Sequence, residues 1–133
     1  MHFCSNIVTE DEGIGHAVLL RAIEPLEGLA IMARNRGFSR ATEREKKNLC
    51  NGPAKLCKAF GIARAENGID LCGNDIWIAE EPGPGIRHRV RRSTRIGITQ
   101  GKEHTWRFFI RNSQYVSKGR PVSQTPVERY MKG

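Results

Sequence analysis

His16-Ala17-Val18-Leu19-Leu20-Arg21-Ala22-Ile23-Glu24-Pro25 runs directly into Leu26-Glu27-Gly28-Leu29-Ala30-Ile31-Met32-Ala33, and the hydrophobic period changes between the two. Residues 16–24 form a mostly apolar run of the kind that makes a buried strand. Pro25 stops it, because proline brings no N–H to a ladder. Beyond it Leu26, Leu29, Ala30 and Ala33 fall at i, i+3, i+4 and i+7, one face of a helix. Arg34 and Arg36 close that helix, and Gly37 suits its C-terminal cap. A strand followed at once by a helix points to a mixed fold.

Working outward, residues 2–9 (His-Phe-Cys-Ser-Asn-Ile-Val-Thr) alternate loosely and suit a strand. Glu10 to Gly15 then reads as a hairpin turn. Residues 41–48 are polar and predict a short exposed helix. Asn51-Gly52-Pro53 is a turn that places Pro53 at the first position of a further helix. That helix runs to about Phe60, with Leu56, Ala59 and Phe60 inward and Gly61 behind it. Asn67-Gly68 is another turn. Ile76-Trp77-Ile78-Ala79 suits a short strand and Glu81-Pro82-Gly83-Pro84-Gly85 a loop. Residues 86–98 alternate partly and hold Arg87, His88, Arg89, Arg91, Arg92 and Arg95. Trp106-Arg107-Phe108-Phe109-Ile110-Arg111 is a strand by residue type. Residues 117–133 lack periodicity and predict a mobile tail. The pattern predicts an α+β fold: a single domain with a curved, mainly antiparallel sheet and a small helical pair inserted in its middle.

The 133 residues suit one domain, and folding should bury about two thirds of the unfolded surface, enough for a core. No apolar run reaches the roughly 20 residues of a membrane helix, and no secretory leader is visible. Cys4, Cys50, Cys57 and Cys72 form no Cys-x-x-Cys pair, and His2, His16, His88 and His104 complete no metal motif. The cysteines therefore read as reduced, small buried hydrophobes. Gly13-Ile14-Gly15 is not a dinucleotide fingerprint, since a strand follows it rather than a helix.

Charge is more informative. The chain is +8, but residues 1–30 hold only Arg21 against five acids, a balance of −4, so residues 31–133 carry +12. A basic body of this kind favours a polyanionic partner. Arg21 interrupts the run Ala17–Ile23. An arginine there must be paired, reach solvent or face a polar cavity, because an unpaired buried charge is costly. It is either a functional side chain, on the side of the strand shared by Leu19 and Ile23, or an edge residue with a packed stem and a wet head. Gly52-Pro53-Ala54-Lys55-Leu56 has the design of a phosphate clamp, a helix N-terminus with a lysine in its first turn. An ordinary helix start with a solvated lysine reads the same way. The arginines at 87–95 are a second backbone-contact candidate or a solvated face.

Five segments in order resemble the methylpurine DNA glycosylase family, the 3-methyladenine DNA glycosylases of the alkyladenine type. They are Met1-His2-Phe3-Cys4-Ser5-Asn6, Gly15 through Gly28, Leu49-Cys50-Asn51-Gly52-Pro53-Ala54-Lys55-Leu56-Cys57, Arg95-Ile96-Gly97-Ile98, and Trp106 through Ser117. The resemblance covers residues 1–118, leaving 119–133 as the tail. It implies a monofunctional DNA repair hydrolase of base excision repair. Such an enzyme flips alkylated purines from double-stranded DNA and hydrolyses the N-glycosidic bond with an activated water. It implies no cofactor, no metal, no membrane association and a monomer. It also implies a location in the cytoplasm with the nucleoid in a bacterium, or in the nucleus of a eukaryote, and no secretion. By resemblance, Arg21 and the main chain at Ile96 hold the attacking water, and Asn6 crowds the pocket against guanine's exocyclic amine. Lys55, Arg64 and the Gly97 N–H match phosphate contacts.

Met1 falls on a position internal to the family domain. The family's general-base glutamate and wedging tyrosine lie before it, so the domain is expected to be incomplete at its N-terminus and the chain alone inactive. Loss of a general base removes a factor of about 10²–10⁴. The alternative is a catalytically inactive, basic DNA-binding remnant of the same fold. The nucleotide sequence upstream of codon 1 separates the two.

Overall fold

The structure is a computed structural model that describes residues 2–73, 75–80 and 90–117 and the backbone of 124–126. It is α+β, with strands at both ends and helices between. β1 (Asn6–Val8) and β2 (Ala17–Leu19) form the expected antiparallel hairpin, with Asn6 opposite Leu19. One further bond, Leu20 N–H to the Ser5 carbonyl at 3.0 Å, extends it.

The strand ends at Leu19 rather than at Glu24. Among the described residues no third strand joins this hairpin, so the next N–H groups have no ladder to enter. The Ile23 N–H instead donates to the Cys50 carbonyl at 3.3 Å. That bond ties the chain to the helical layer, where Leu20 and Ile23 pack against the core. Strand alternation therefore does not govern Arg21.

Among the described residues three helices follow, one in each stretch that the sequence predicts to be helical, so the inserted unit is larger than the pair of the overall reading. α1 spans Leu29–Asn35. Its start is set by Gly28, whose φ of 67° is left-handed and cannot continue a helix from Leu26. Leu26 is consequently 77% exposed and Ala30 is exposed, and the inward face is Leu29, Met32 and Ala33. α2 spans Glu43–Leu49. Its capping box is complete: Thr42 Oγ1 accepts from the Glu45 N–H at 3.3 Å, and Glu45 Oε2 accepts from the Thr42 N–H at 2.9 Å. The same oxygen accepts from the Thr42 hydroxyl, which with the backbone bond lowers the Glu45 pKa. The helix is mostly polar, as its sequence suggests, but ends on fully buried Leu49.

α3 spans Pro53–Phe60 with Pro53 in its first turn. Leu56 and Ala59 face inward as expected, and Cys57 joins them. Phe60 does not; it is 46% exposed. The chain turns at Gly61, and the Ile62 N–H bonds back to the Cys57 carbonyl at 2.9 Å, bringing Ile62 onto the core instead. The core is the cluster of Ala33, Leu49, Cys50, Leu56, Cys57 and Ala59. Burial pushes the Cys50 thiol up to about 11 and also raises that of Cys57. Cys4 and Cys72 are exposed, against the expectation of burial.

A second antiparallel sheet has the order β4-β3-β5, built from β3 (Val90–Ser93), β4 (Arg107–Ile110) and β5 (Gln124–Pro126). Ser93 stands opposite both Arg107 and Gln124. Among the described residues the two sheets are separate rather than one continuous surface. Ile76–Ala79 is not a strand. Trp77 and Ile78 are exposed, and the Ile78 N–H reaches only the Leu71 carbonyl at 3.4 Å, so β-type residues lack a partner strand there. The loop 81–85, the basic residues Arg87, His88 and Arg89, and the tail outside Gln124–Pro126 lie outside the described residues.

Candidate functional site

A cleft of about 690 Å³ lies between the two sheets. One wall is residues 17–24, strand β2 and the extended chain after it. The other is Arg95, Ile98, strand β4 with Trp106 before it, and the turn through Tyr115 to Ser117. The walls are mostly apolar, yet among the described residues three arginines line them, Arg21, Arg95 and Arg107, against one acid, the exposed Glu24.

Each arginine is held differently. Arg107 is buried and anchored. Its Nη1 donates to Ser93 Oγ and its Nη2 to the Ser117 carbonyl, both at 3.2 Å, and its guanidinium lies 4.6 Å from the centre of the Phe109 ring. Ser93 is its cross-strand neighbour, so the β3–β4 register places the first acceptor. Burial lowers the Arg107 pKa, and the positive charge of Arg21 lowers it further. Arg95 packs over the Trp106 ring at 5.3 Å, and His104 stacks on Trp106 with ring centres 4.1 Å apart. Arg21 is half-buried, and its Nε is out of water without a hydrogen-bond partner. The Nε of Arg95 is in the same condition. Arg21 thus fits neither a carboxylate-paired nor a fully solvated arginine.

At the other candidate position, Lys55 sits in the first turn of α3. Its Nζ donates to Asn51 Oδ1 at 2.7 Å, and Asn51 in turn donates to Asn48 Oδ1 at 3.0 Å. Asn51 is buried at the turn between α2 and α3, so the lysine head is held over that turn rather than left to wander.

Residues 1–114 match the description "Methylpurine-DNA glycosylase (MPG)". The chain is 42% identical over 123 residues to a protein of Desulfitobacterium hafniense (strain Y51), covering 88% of this chain and 60% of that one. It is 40% identical over 124 residues to one of Clostridium novyi (strain NT), covering 89% and 60%. Against one of Rhodopseudomonas palustris (strain ATCC BAA-98 / CGA009) it is 39% identical over 127 residues, covering 91% and 55%. All three bear the name "Putative 3-methyladenine DNA glycosylase". The chain belongs to the methylpurine-DNA glycosylase family. It spans about 60% of the length of the first two of these relatives.

The positions that the family resemblance singles out are spread over the molecule. Only Arg21 lines the cleft. Asn6 is exposed in β1, opposite Leu19. Ile96, half-buried, and Gly97, exposed with φ 74°, follow Arg95 in the loop after β3. Lys55 and Arg64 flank α3, Lys55 in its first turn and Arg64 exposed beyond its end, where the Arg64 carbonyl accepts from the Asn67 N–H at 3.2 Å. Arg107 and Trp106 were missed as cleft residues. The signal was present: Arg107 is an arginine inside an apolar run, as Arg21 is.

The described residues hold no helix long and apolar enough to cross a membrane.

Proposed function

We propose that this chain is part of a monofunctional DNA glycosylase. It acts on alkylated purines flipped out of double-stranded DNA and hydrolyses their N-glycosidic bond. Water adds to the sugar C1′, the bond to the purine nitrogen breaks, and the base leaves with the electron pair. Alkylated purines are good leaving groups and pair poorly, so both flipping and cleavage cost less for them.

The observation that carries this reading is the free guanidinium of Arg21 on the wall of a mainly apolar cleft, in a chain of this family. An arginine with unused N–H donors holds a water oxygen well. In the proposal Arg21 and the main chain at Ile96 position the attacking water. Asn6 narrows the pocket against guanine's amine. Lys55, Arg64 and the Gly97 N–H grip the phosphate backbone. The left-handed, exposed backbone at Gly97 and the Asn51-held Lys55 head support those roles. The proton acceptor for the water is assigned to the portion of the family's length that this chain does not span, and no metal or cofactor takes part. The protein is proposed to act as a monomer.

The test is a chimera in which this chain replaces the matching portion of the Desulfitobacterium hafniense relative. It should release 3-methyladenine from methylated duplex DNA, while the 133-residue chain alone releases none above background. A chimera that binds duplex DNA but releases no base favours the alternative, an inactive basic DNA-binding module.

A further inference from the structure

The Lys55 head stands at the end of a directed ladder of hydrogen bonds that begins on α2. Asn48 Nδ2 donates to the Arg44 carbonyl at 2.9 Å, one helical turn back. Asn48 Oδ1 accepts from Asn51 Nδ2 at 3.0 Å, and Asn51 Oδ1 accepts from Lys55 Nζ at 2.7 Å. An asparagine amide is a donor at one end and an acceptor at the other. The Arg44 carbonyl only accepts, so it selects the donor end of Asn48 and turns Oδ1 toward Asn51. That oxygen selects the donor end of Asn51 and turns its Oδ1 toward Lys55. Reversing the Asn51 amide would aim an NH2 group at the ammonium. Asn51 is 7% exposed, so little water can replace these partners, and an unmade bond there is costly.

We propose that Asn48 is a positioning residue for Lys55: it sets the orientation of the Asn51 amide, and so the place at which the lysine ammonium meets a DNA phosphate. Asn48 touches no phosphate itself. The inference rests on the reading of Lys55 as a backbone grip. A lysine has many rotamers, and holding its head before DNA arrives lowers the ordering cost of the contact. Without Asn48 the Asn51 amide is free to turn, and the end that then faces Lys55 repels it.

The experiment measures the affinity of the 133-residue chain for an undamaged DNA duplex over a salt series, in the parent, Asn48→Ala, Lys55→Ala and the double variant. Lys55→Ala should weaken binding about tenfold, the scale of one charge-assisted hydrogen bond, and lower the salt slope by about 1. Asn48→Ala should weaken it about threefold with the slope of the parent, because no charge is removed. In the Lys55→Ala background it should cost nothing more, since the two residues act through one contact. Alanine suits a helix, so unfolding does not imitate the loss. In the free chain, NMR should show the Asn51 side-chain amide protons exchanging faster with water in Asn48→Ala. They should stay protected in Asn48→Asp, which still accepts from Asn51. Equal losses from Asn48→Ala in both backgrounds would make Asn48 merely structural and overturn the proposal. So would an unchanged affinity in Asn48→Ala beside a loss in Lys55→Ala, which leaves the grip standing. An unchanged affinity and slope in Lys55→Ala removes the grip itself, and the role of Asn48 with it.

Discussion

Arg21 and Arg107 reach the cleft from opposite walls by the same sequence device, an arginine in the middle of an apolar run. The device is legible because burial of an unpaired charge is penalised. It marks a residue as unusual without saying which neighbours it meets, since those come from another part of the chain. Hence Ser93, Ser117 and Phe109 around Arg107 were not foreseeable from sequence. The cysteines show the converse. Their sequence pattern gave no way to separate Cys50 and Cys57, in the core, from Cys4 and Cys72, at the surface. At pH 7.5 iodoacetamide should label Cys4 and Cys72 and spare Cys50 and Cys57 while the chain is folded, as mass spectrometry of the digested protein can show. The Cys50 pKa is raised by burial, so the folded state disfavours its thiolate. Its contribution to stability is therefore intact below about pH 9 and lost as pH rises toward 11. Urea midpoints measured across that window should fall for the parent and fall less for Cys50→Ala.

Elements were readable where local chemistry decides them. The Thr42–Glu45 box, Pro53 at a helix start and glycines behind α1 and α3 are all short-range signals. Thr42→Ala removes the box and should cost about 1 kcal/mol in urea unfolding. An unchanged midpoint would show that α2 is held by Leu49 alone. Lys55 belongs to the same scale, because the α2–α3 turn positions it through Asn51. In duplex DNA binding, Lys55→Ala should weaken affinity for all sequences alike and reduce the salt slope by about 1. Asn51→Ala should mimic part of that loss by removing an acceptor that positions the lysine head. Elements failed where partners decide them. Residues 21–24 and 76–79 have strand-forming side chains but pair with no strand among the described residues, and Phe60 follows the helical period but is turned out by the Gly61 cap.

At the scale of the whole molecule, the sequence yields an α+β chain with helices between hairpin-like ends, and family membership follows from ordered segments rather than any single motif. One curved sheet was expected; among the described residues two separate sheets leave an open cleft between them, with Arg21 on its wall. The −4 segment at residues 1–30 and the +12 remainder meet at that cleft, since its walls come from both. Duplex DNA affinity should therefore fall steeply with salt, as counterion release requires. The most direct measurement is single-turnover release of 3-methyladenine at saturating enzyme by the chimera and its Arg21→Met variant. A rate about 10²-fold lower is expected for the variant, the scale of one positioned donor, with duplex affinity little changed. An unchanged single-turnover rate, with the loss confined to binding, would make Arg21 a backbone contact and contradict the assignment of the cleft as the reaction site.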